Sequence, residues 1–254
     1  MKKLRIAITF FIFLFSCTIT IAQPKAYSVA NAHAHNDYLH PIPFYNAYNA
    51  GFGSIEVDIF PVNGTLLVAH SKKEIMLQNT LKSLYLDPLL KELQANNLHQ
   101  LKLLVDIKEN YKQSLDLLIK ELNPFNQYLS TPQNIKPLMI IISGERPTPS
   151  EYKNYPAYIF FDDNFMLKHT AEEWKRVGLI SRSFNKISKW KGEDVINPKD
   201  KKRIKGMIDS VHNAGKPFRF WAAPDNKTSW KLQKKLHADL IGTDKIDELA
   251  NYLR

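Results

Sequence analysis

One cysteine, Cys17, is the whole thiol inventory of this 254-residue chain, and it lies inside an apolar run near the amino terminus. A chain with one cysteine closes no internal disulfide, and a chain of this length can hold its fold by its core alone. Cysteine nucleophiles and thiolate metal sites are excluded at the same stroke. Repeats of solenoid period, disorder-prone composition and linkers of convincing length are also missing, which leaves one domain of the larger kind. The longest apolar run, residues 6–22, falls short of the roughly 20 residues of a comfortable spanning helix. Ser181 and Ser183 lack the context of a nucleophile elbow, so a serine-hydrolase reading is poor.

What the amino terminus does have is a basic start, Met1-Lys-Lys-Leu-Arg5, followed by that apolar run. The pattern is that of a secretory leader over residues 1–22, with the domain proper over 23–254. Thr20-Ile-Ala22 before Gln23 offers small residues at a signal-peptidase site, while Leu14-Phe-Ser-Cys17 loosely resembles a lipobox that would attach lipid at Cys17. The expectation is an exported protein, periplasmic or secreted, or lipid-anchored under the second processing route. Formal charge is +10, and loss of Lys2, Lys3 and Arg5 with the leader leaves +7. A basic exterior suits anionic small molecules or peripheral contact with an anionic membrane. The lysines are scattered, and the densest group (Lys199, Lys201, Lys202, Arg203, Lys205) reads as a solvated helix face rather than a nucleic-acid site. No protein partner can be inferred.

Short apolar runs alternate with amphipathic stretches along the rest of the chain. Strands are predicted over 28–34, 53–60, 101–107, 137–143, 157–161, 178–183, 217–222 and 239–242. A further strand, 65–70, follows the tight-turn pair Asn63-Gly64 and should form a hairpin with the strand before it. Helices are predicted over 43–50, 80–96, 111–122, 148–153, 170–176, 198–214, 226–236 and 245–253. Eight continuously apolar strands separated by helices predict a parallel sheet closed into a single, distorted (β/α)8 TIM barrel with a short hairpin after the second strand. A doubly wound open sheet is the alternative.

The active site of such a barrel lies at the carboxyl ends of its strands. His33 and His35 alternate onto one face there, as do Glu56 and Asp58, and His70 ends the hairpin. Two carboxylates flanking one valine in an apolar strand are costly to bury unpaired, and a hard divalent cation satisfies them, with Asp106 supplying a third oxygen. An all-carboxylate set favours Mg2+ or Ca2+ over zinc. The bland reading is structural ion pairing with Lys108, Arg146 or Arg182. Imidazoles on two sides of a phosphorus can serve as general base and general acid. Lys108, Arg146 and Arg182 can hold phosphate oxygens, and Trp221 can wall a substrate or simply pack. His40, His99, His169, His212 and His237 have no such setting.

His-x-His-Asn-Asp-Tyr, Ser-Ile-Glu-Val-Asp-Ile and Leu-Leu-Val-Ala-His, in that order, resemble the glycerophosphodiester phosphodiesterase and phosphatidylinositol-phospholipase-C-like superfamily. Thr80-Leu-x-x-Leu-Tyr-Leu-x-Pro88-Leu, Val105-Asp-Ile-Lys108, Ser143-Gly-x-Arg-Pro147, Ile159-Phe-Phe-Asp162 and Arg219-Phe-Trp221 extend the likeness. Together they are similar to the branch with the fungal altered-inheritance-of-mitochondria phosphodiesterase-like proteins. The resemblance implies a distorted TIM barrel and a metal on Glu56, Asp58 and Asp106. It also implies acid–base catalysis by His70 and one of His33 and His35, with His33 favoured. A hydroxyl beside the phosphodiester would attack phosphorus, often giving a cyclic phosphate that water opens. The substrate would be a small-molecule phosphodiester or a phospholipid headgroup. Three departures bear on substrate choice. His35-Asn-Asp, or His33-Ala-His, replaces the usual His-Arg-Gly and leaves either histidine open as the catalytic one. The Pro-Glu-Asn-Thr stretch is absent, and His70-Ser71 replaces the usual His-Asp while Asp106 stands where glutamate is commoner.

Two other readings use the same residues. An amidohydrolase-like or polymerase-and-histidinol-phosphatase-like hydrolase would bind a transition metal through both histidines of the first strand. A binding protein on the same barrel would keep the fold without turnover.

Overall fold

The computed structural model describes residue 24 and residues 26–97 and 99–254. The expected leader and Cys17 lie outside the described residues. Nine strands form one sheet: β1 (Ala32–Ala34), β2 (Ser54–Val62), β3 (Thr65–Val68), β4 (Leu101–Ile107), β5 (Leu138–Gly144), β6 (Ile159–Asp163), β7 (Val177–Ser183), β8 (Phe218–Trp221) and β9 (Ile241–Thr243). Its order is β8-β7-β6-β5-β4-β2-β1-β9, parallel throughout, with β3 antiparallel to β2. The ends meet through one parallel bridge, Arg219 to Leu240, where the Phe218 carbonyl accepts from the amides of Asp239 and Leu240 at 2.9 and 3.2 Å. This is the expected (β/α)8 barrel, nearly closed. The hairpin is there too, turning through Asn63 and Gly64 at φ 48° and 78°, the paired left-handed conformations that a two-residue turn between twisted strands requires.

Helices α1 (Tyr45–Ala50), α2 (Asp87–Gln94), α3 (Tyr111–Glu121), α4 (Ala171–Lys175), α5 (Pro198–Asn213), α6 (Lys227–Lys235) and α7 (Ile246–Leu253) cover the outside. The outward residues of the strands, such as Val57, Val105, Ile142, Ile180 and Phe218, pack in the main core, while Leu104, Ile141, Phe160, Leu179 and Leu240 fill a separate inner one. Side chains two apart share a strand face, so the inner face can be read upward. Asp106 follows Leu104, Ser143 follows Ile141, Asp162 follows Phe160 and Ser181 follows Leu179. The barrel is therefore apolar low down and polar toward the carboxyl ends of its strands.

Local departures from the sequence reading have local causes. Residues 29–31 form a 3-10 turn capped by the Ser28 hydroxyl, rather than the start of β1. The helix expected from 80 opens with a π-helical turn over Lys82–Leu86, and Pro88 offers no amide to the carbonyl four residues back. The predicted helix at 148–153 is 3-10 over Pro149–Asn154.

Candidate active site

At the polar end of the barrel, Glu56 and Asp58 from β2 and Asp106 from β4 each bring a carboxylate oxygen within 4.8 Å of the others. The β2–β4 register sets Asp58 opposite Asp106. Lys108, on the same face of its segment, reaches back between them, with its Nζ 2.7 Å from Asp58 Oδ2 and 2.6 Å from Asp106 Oδ2. The Ser143 hydroxyl donates to Asp106 Oδ1 at 2.6 Å and the Tyr38 hydroxyl to Asp58 Oδ2 at 2.7 Å. Burial and the neighbouring Glu56 charge still raise the Asp58 carboxyl above its ordinary range despite Lys108. Three converging carboxylates with hard oxygen donors fit a divalent cation, which would share Asp58 and Asp106 with Lys108.

The two histidines of β1 have different surroundings. His33 is fully buried: its Nδ1 is 2.8 Å from Ser54 Oγ, and its Nε2 is 2.8 Å from Glu56 Oε2 and against Arg219 Nη1. Burial and the Arg219 charge push its pKa down to about 4. His35 sits past the strand end and is partly open, with Nδ1 2.7 Å from Asp244 Oδ1. Burial opposes its charge, yet the hydrogen bond to Asp244 and the Glu56 and Asp244 charges raise its pKa overall. His70, exposed beyond β3, has Nδ1 3.1 Å from Asp58 Oδ2. The open imidazoles therefore flank the carboxylates, His35 over β1 and β9 and His70 over β2 and β3.

Arg219 has a place in this site that the sequence reading missed. From β8 it enters the barrel interior almost wholly buried, with Nη1 2.6 Å from Glu56 Oε2 and Nε donating to Ser181 Oγ at 3.0 Å. Burial opposes the ionisation of Glu56, but Arg219 and the His33 hydrogen bond hold it well below the usual carboxylate range. The available signal was spacing: Arg219 lies two before Trp221 and so on its face. Arg182 is not brought to the cluster. It alternates with Ile180 onto the outer face of β7, and its Nη1 donates to the Asn164 carbonyl at 2.6 Å. Arg146 leaves β5 beside the mouth, donating to the Gly144 carbonyl at 3.0 Å. Trp221 lines a cavity of about 140 Å³ together with His35, Arg219 and Asp244. A buried acid completes the interior: Asp162 has Oδ1 without a hydrogen-bond partner among the described residues, and burial, against the nearby Arg219, raises its pKa to about 7.

Comparison with known proteins gives consistent relatives. Residues 25–102 match the AIM6-like phosphodiesterase domain. The altered inheritance of mitochondria protein 6 homolog of Arthroderma benhamiae is 25% identical over 260 residues, covering 87% of this chain and 82% of that protein. Altered inheritance of mitochondria protein 6 of Kluyveromyces lactis is 25% identical over 304 residues, covering 88% and 72%. Among solved structures, a glycerophosphodiester phosphodiesterase from Parabacteroides distasonis superposes with a TM-score of 0.57 at 13% identity, over 88% of this chain and 96% of that one. An Oleispira antarctica phosphodiesterase, solved with the product sn-glycerol-3-phosphate, gives 0.53 at 11% identity, over 87% and 94%. The two structures show the shared barrel, and the resemblance read from the sequence is borne out.

Proposed function

We propose that this chain is a phosphodiester hydrolase acting on a small-molecule phosphodiester, a glycerophosphodiester or a related phospholipid-derived compound. The observation that carries this reading is the pair of open imidazoles on either side of a three-carboxylate cluster that also holds Lys108. His70 presents Nδ1 to Asp58, which leaves Nε2 to take the proton of an attacking hydroxyl or water. His35, its charged form favoured by Asp244, gives a proton to the departing alkoxide. Lys108 and Arg219 place positive charge where the phosphoryl oxygens gather negative charge. His33, favoured over His35 in the sequence, is read here as a positioning residue: both its ring nitrogens are already engaged, and it lies buried at the inner wall of the cavity that His35 shares.

Glu56, Asp58 and Asp106 would hold a divalent cation, Mg2+ or Ca2+, which when bound polarises a phosphoryl oxygen. The Arg219 guanidinium pressed on His33 Nε2 speaks against the amidohydrolase-like alternative, because that nitrogen would have to face a metal instead. The basic-then-apolar residues 1–22 support an exported enzyme.

The test is hydrolysis of bis(p-nitrophenyl) phosphate and of glycerophosphocholine with Mg2+, Ca2+, Zn2+ or EDTA. Turnover is expected with Mg2+ or Ca2+, with His35→Ala and His70→Ala each lowering kcat by about 10²–10⁴-fold and leaving the circular dichroism spectrum unchanged. Full activity in His35→Ala alongside its loss in a His33 variant would return the acid role to His33. Activity with zinc alone would favour the amidohydrolase-like reading.

A further inference from the structure

Ten large hydrophobic side chains are exposed among the described residues, at 37–89% of their full area, and their distribution is one-sided. Leu39 and Ile42 lie on the loop after β1, and Met76 and Leu77 on the loop after β3. Phe165, Met166 and Leu167 follow β6, Val195 follows β7, and Trp221 ends β8. Seven stand at or beyond the carboxyl ends of the parallel strands. Met76 and Leu77 follow the antiparallel β3, which pairs with β2 only over Ile59–Val62 and ends level with Ile107 at the end of β4. Only Ile135, on the loop entering β5, belongs to the opposite end. Scattered exposed apolar residues need no explanation, but a ring of them around one rim, with the other rim nearly bare, does.

The same loops carry exposed Lys72, Lys73, Lys168, Lys186, Lys189 and Lys191 against exposed Glu74, Glu193 and Asp194. Lys72 is paired with Glu109 of the neighbouring loop, which leaves five lysines to face outward. Apolar tips interleaved with lysines are the pattern of a surface that enters the headgroup layer of an anionic bilayer. A protein partner would call for a continuous patch rich in aromatic residues, whereas these are mostly non-aromatic side chains, set singly or in twos and threes on separate loops. The rim is also continuous with the site: a cavity of about 440 Å³ is walled by Leu39, Val68, Ile75 and Met76 and reaches His70.

The geometry points to the mouth of the barrel as a docking surface for an anionic lipid–water interface, which brings amphiphilic phosphodiesters to the catalytic groups without their leaving that interface. This deepens the phosphodiesterase reading and rests on it for the nature of the substrate, but membrane attachment can be measured without turnover.

The experiment is co-sedimentation of the processed chain, its amino terminus fixed by mass spectrometry, with vesicles of phosphatidylcholine alone or mixed with phosphatidylglycerol, which supplies the negative surface potential that attracts basic segments. Leu77→Asp and Met166→Asp, singly and together, are compared with the parent. The expected result is binding that needs phosphatidylglycerol and weakens several-fold at high salt. The double variant should lose at least about tenfold of it while hydrolysing soluble bis(p-nitrophenyl) phosphate at the parent rate. Equal binding by parent and double variant, or no binding by the parent, overturns the proposal. So does a concentration-dependent dimer in sedimentation that the same substitutions dissolve, since the ring would then be a protein interface. Vesicle binding without phosphodiester turnover would sink the catalytic reading and leave the docking surface standing.

Discussion

Asp162 is a carboxyl held in the barrel interior with one oxygen unpartnered, and its pKa near 7 has a consequence for stability. Its ordinary value is 3.8, so between pH 4 and 7 the folded chain keeps a proton that the unfolded chain releases. Stability is therefore unpenalised below about pH 4 and falls as pH rises toward 7. Asparagine keeps the shape and needs no proton. Asp162→Asn is expected to leave the thermal midpoint nearly unchanged at pH 4 and to raise it by several degrees at pH 8, corresponding to a few kcal/mol at about 1.4 kcal/mol per pH unit. A gain independent of pH would refute the assignment. Arg219 stands at the other extreme, fully charged and paired with Glu56. Removing one partner of such a buried pair strands the other, so Arg219→Met is expected to cost about 3–5 kcal/mol in urea melts, with Arg219→Lys recovering part of it.

Gly144, at the end of β5, shows how an element can govern the site. Its φ is +67°, and a Cβ there would lie 2.3 Å from the Ile107 carbonyl oxygen and 2.9 Å from Asp106 Oδ1. Gly144→Ala is thus expected to push β4 and β5 apart and to displace Asp106. The measurement is divalent-cation affinity by calorimetry beside a melt: weaker binding than the melt alone explains marks a moved ligand, and unchanged binding would clear Gly144 of that role. The strands carrying the carboxylates were legible because acids interrupt otherwise apolar runs, Glu56 and Asp58 within β2 and Asp106 near the end of β4, and β4 appears with the predicted bounds. The faces were harder to read. In Ser181-Arg182-Ser183 nothing in the sequence says which parity points inward, since the strand is apolar on both sides where it is buried. The structure puts the serines inside and Arg182 out. In Phe218-Arg-Phe-Trp221 the aromatics suggest packing, although the arginine between them is the side chain that reaches Glu56. The open and closed histidines of β1 were likewise indistinguishable, because alternation gives both one face and only the height in the barrel separates them.

At the scale of the whole molecule, the sheet is stitched unevenly. β4 and β5 pair over seven registered residues, whereas β8 and β9 are joined by the single Arg219–Leu240 bridge. Amides on either side of that join are expected to exchange with deuterium orders of magnitude faster than those of β4. Arg219 and Trp221 stand on one lip of the join, Thr243 and Asp244 on the other, and the 140 Å³ cavity lies across it. A phosphate held between Arg219 on one side and His35, its charged form favoured by Asp244, on the other would act as a clasp on a barrel whose own hydrogen bonds barely shut it. Inorganic phosphate should therefore slow exchange at Asp239 and Leu240 while leaving β4 and β5 as they were. On that account, turnover would repeatedly unfasten and refasten the wall of the barrel itself.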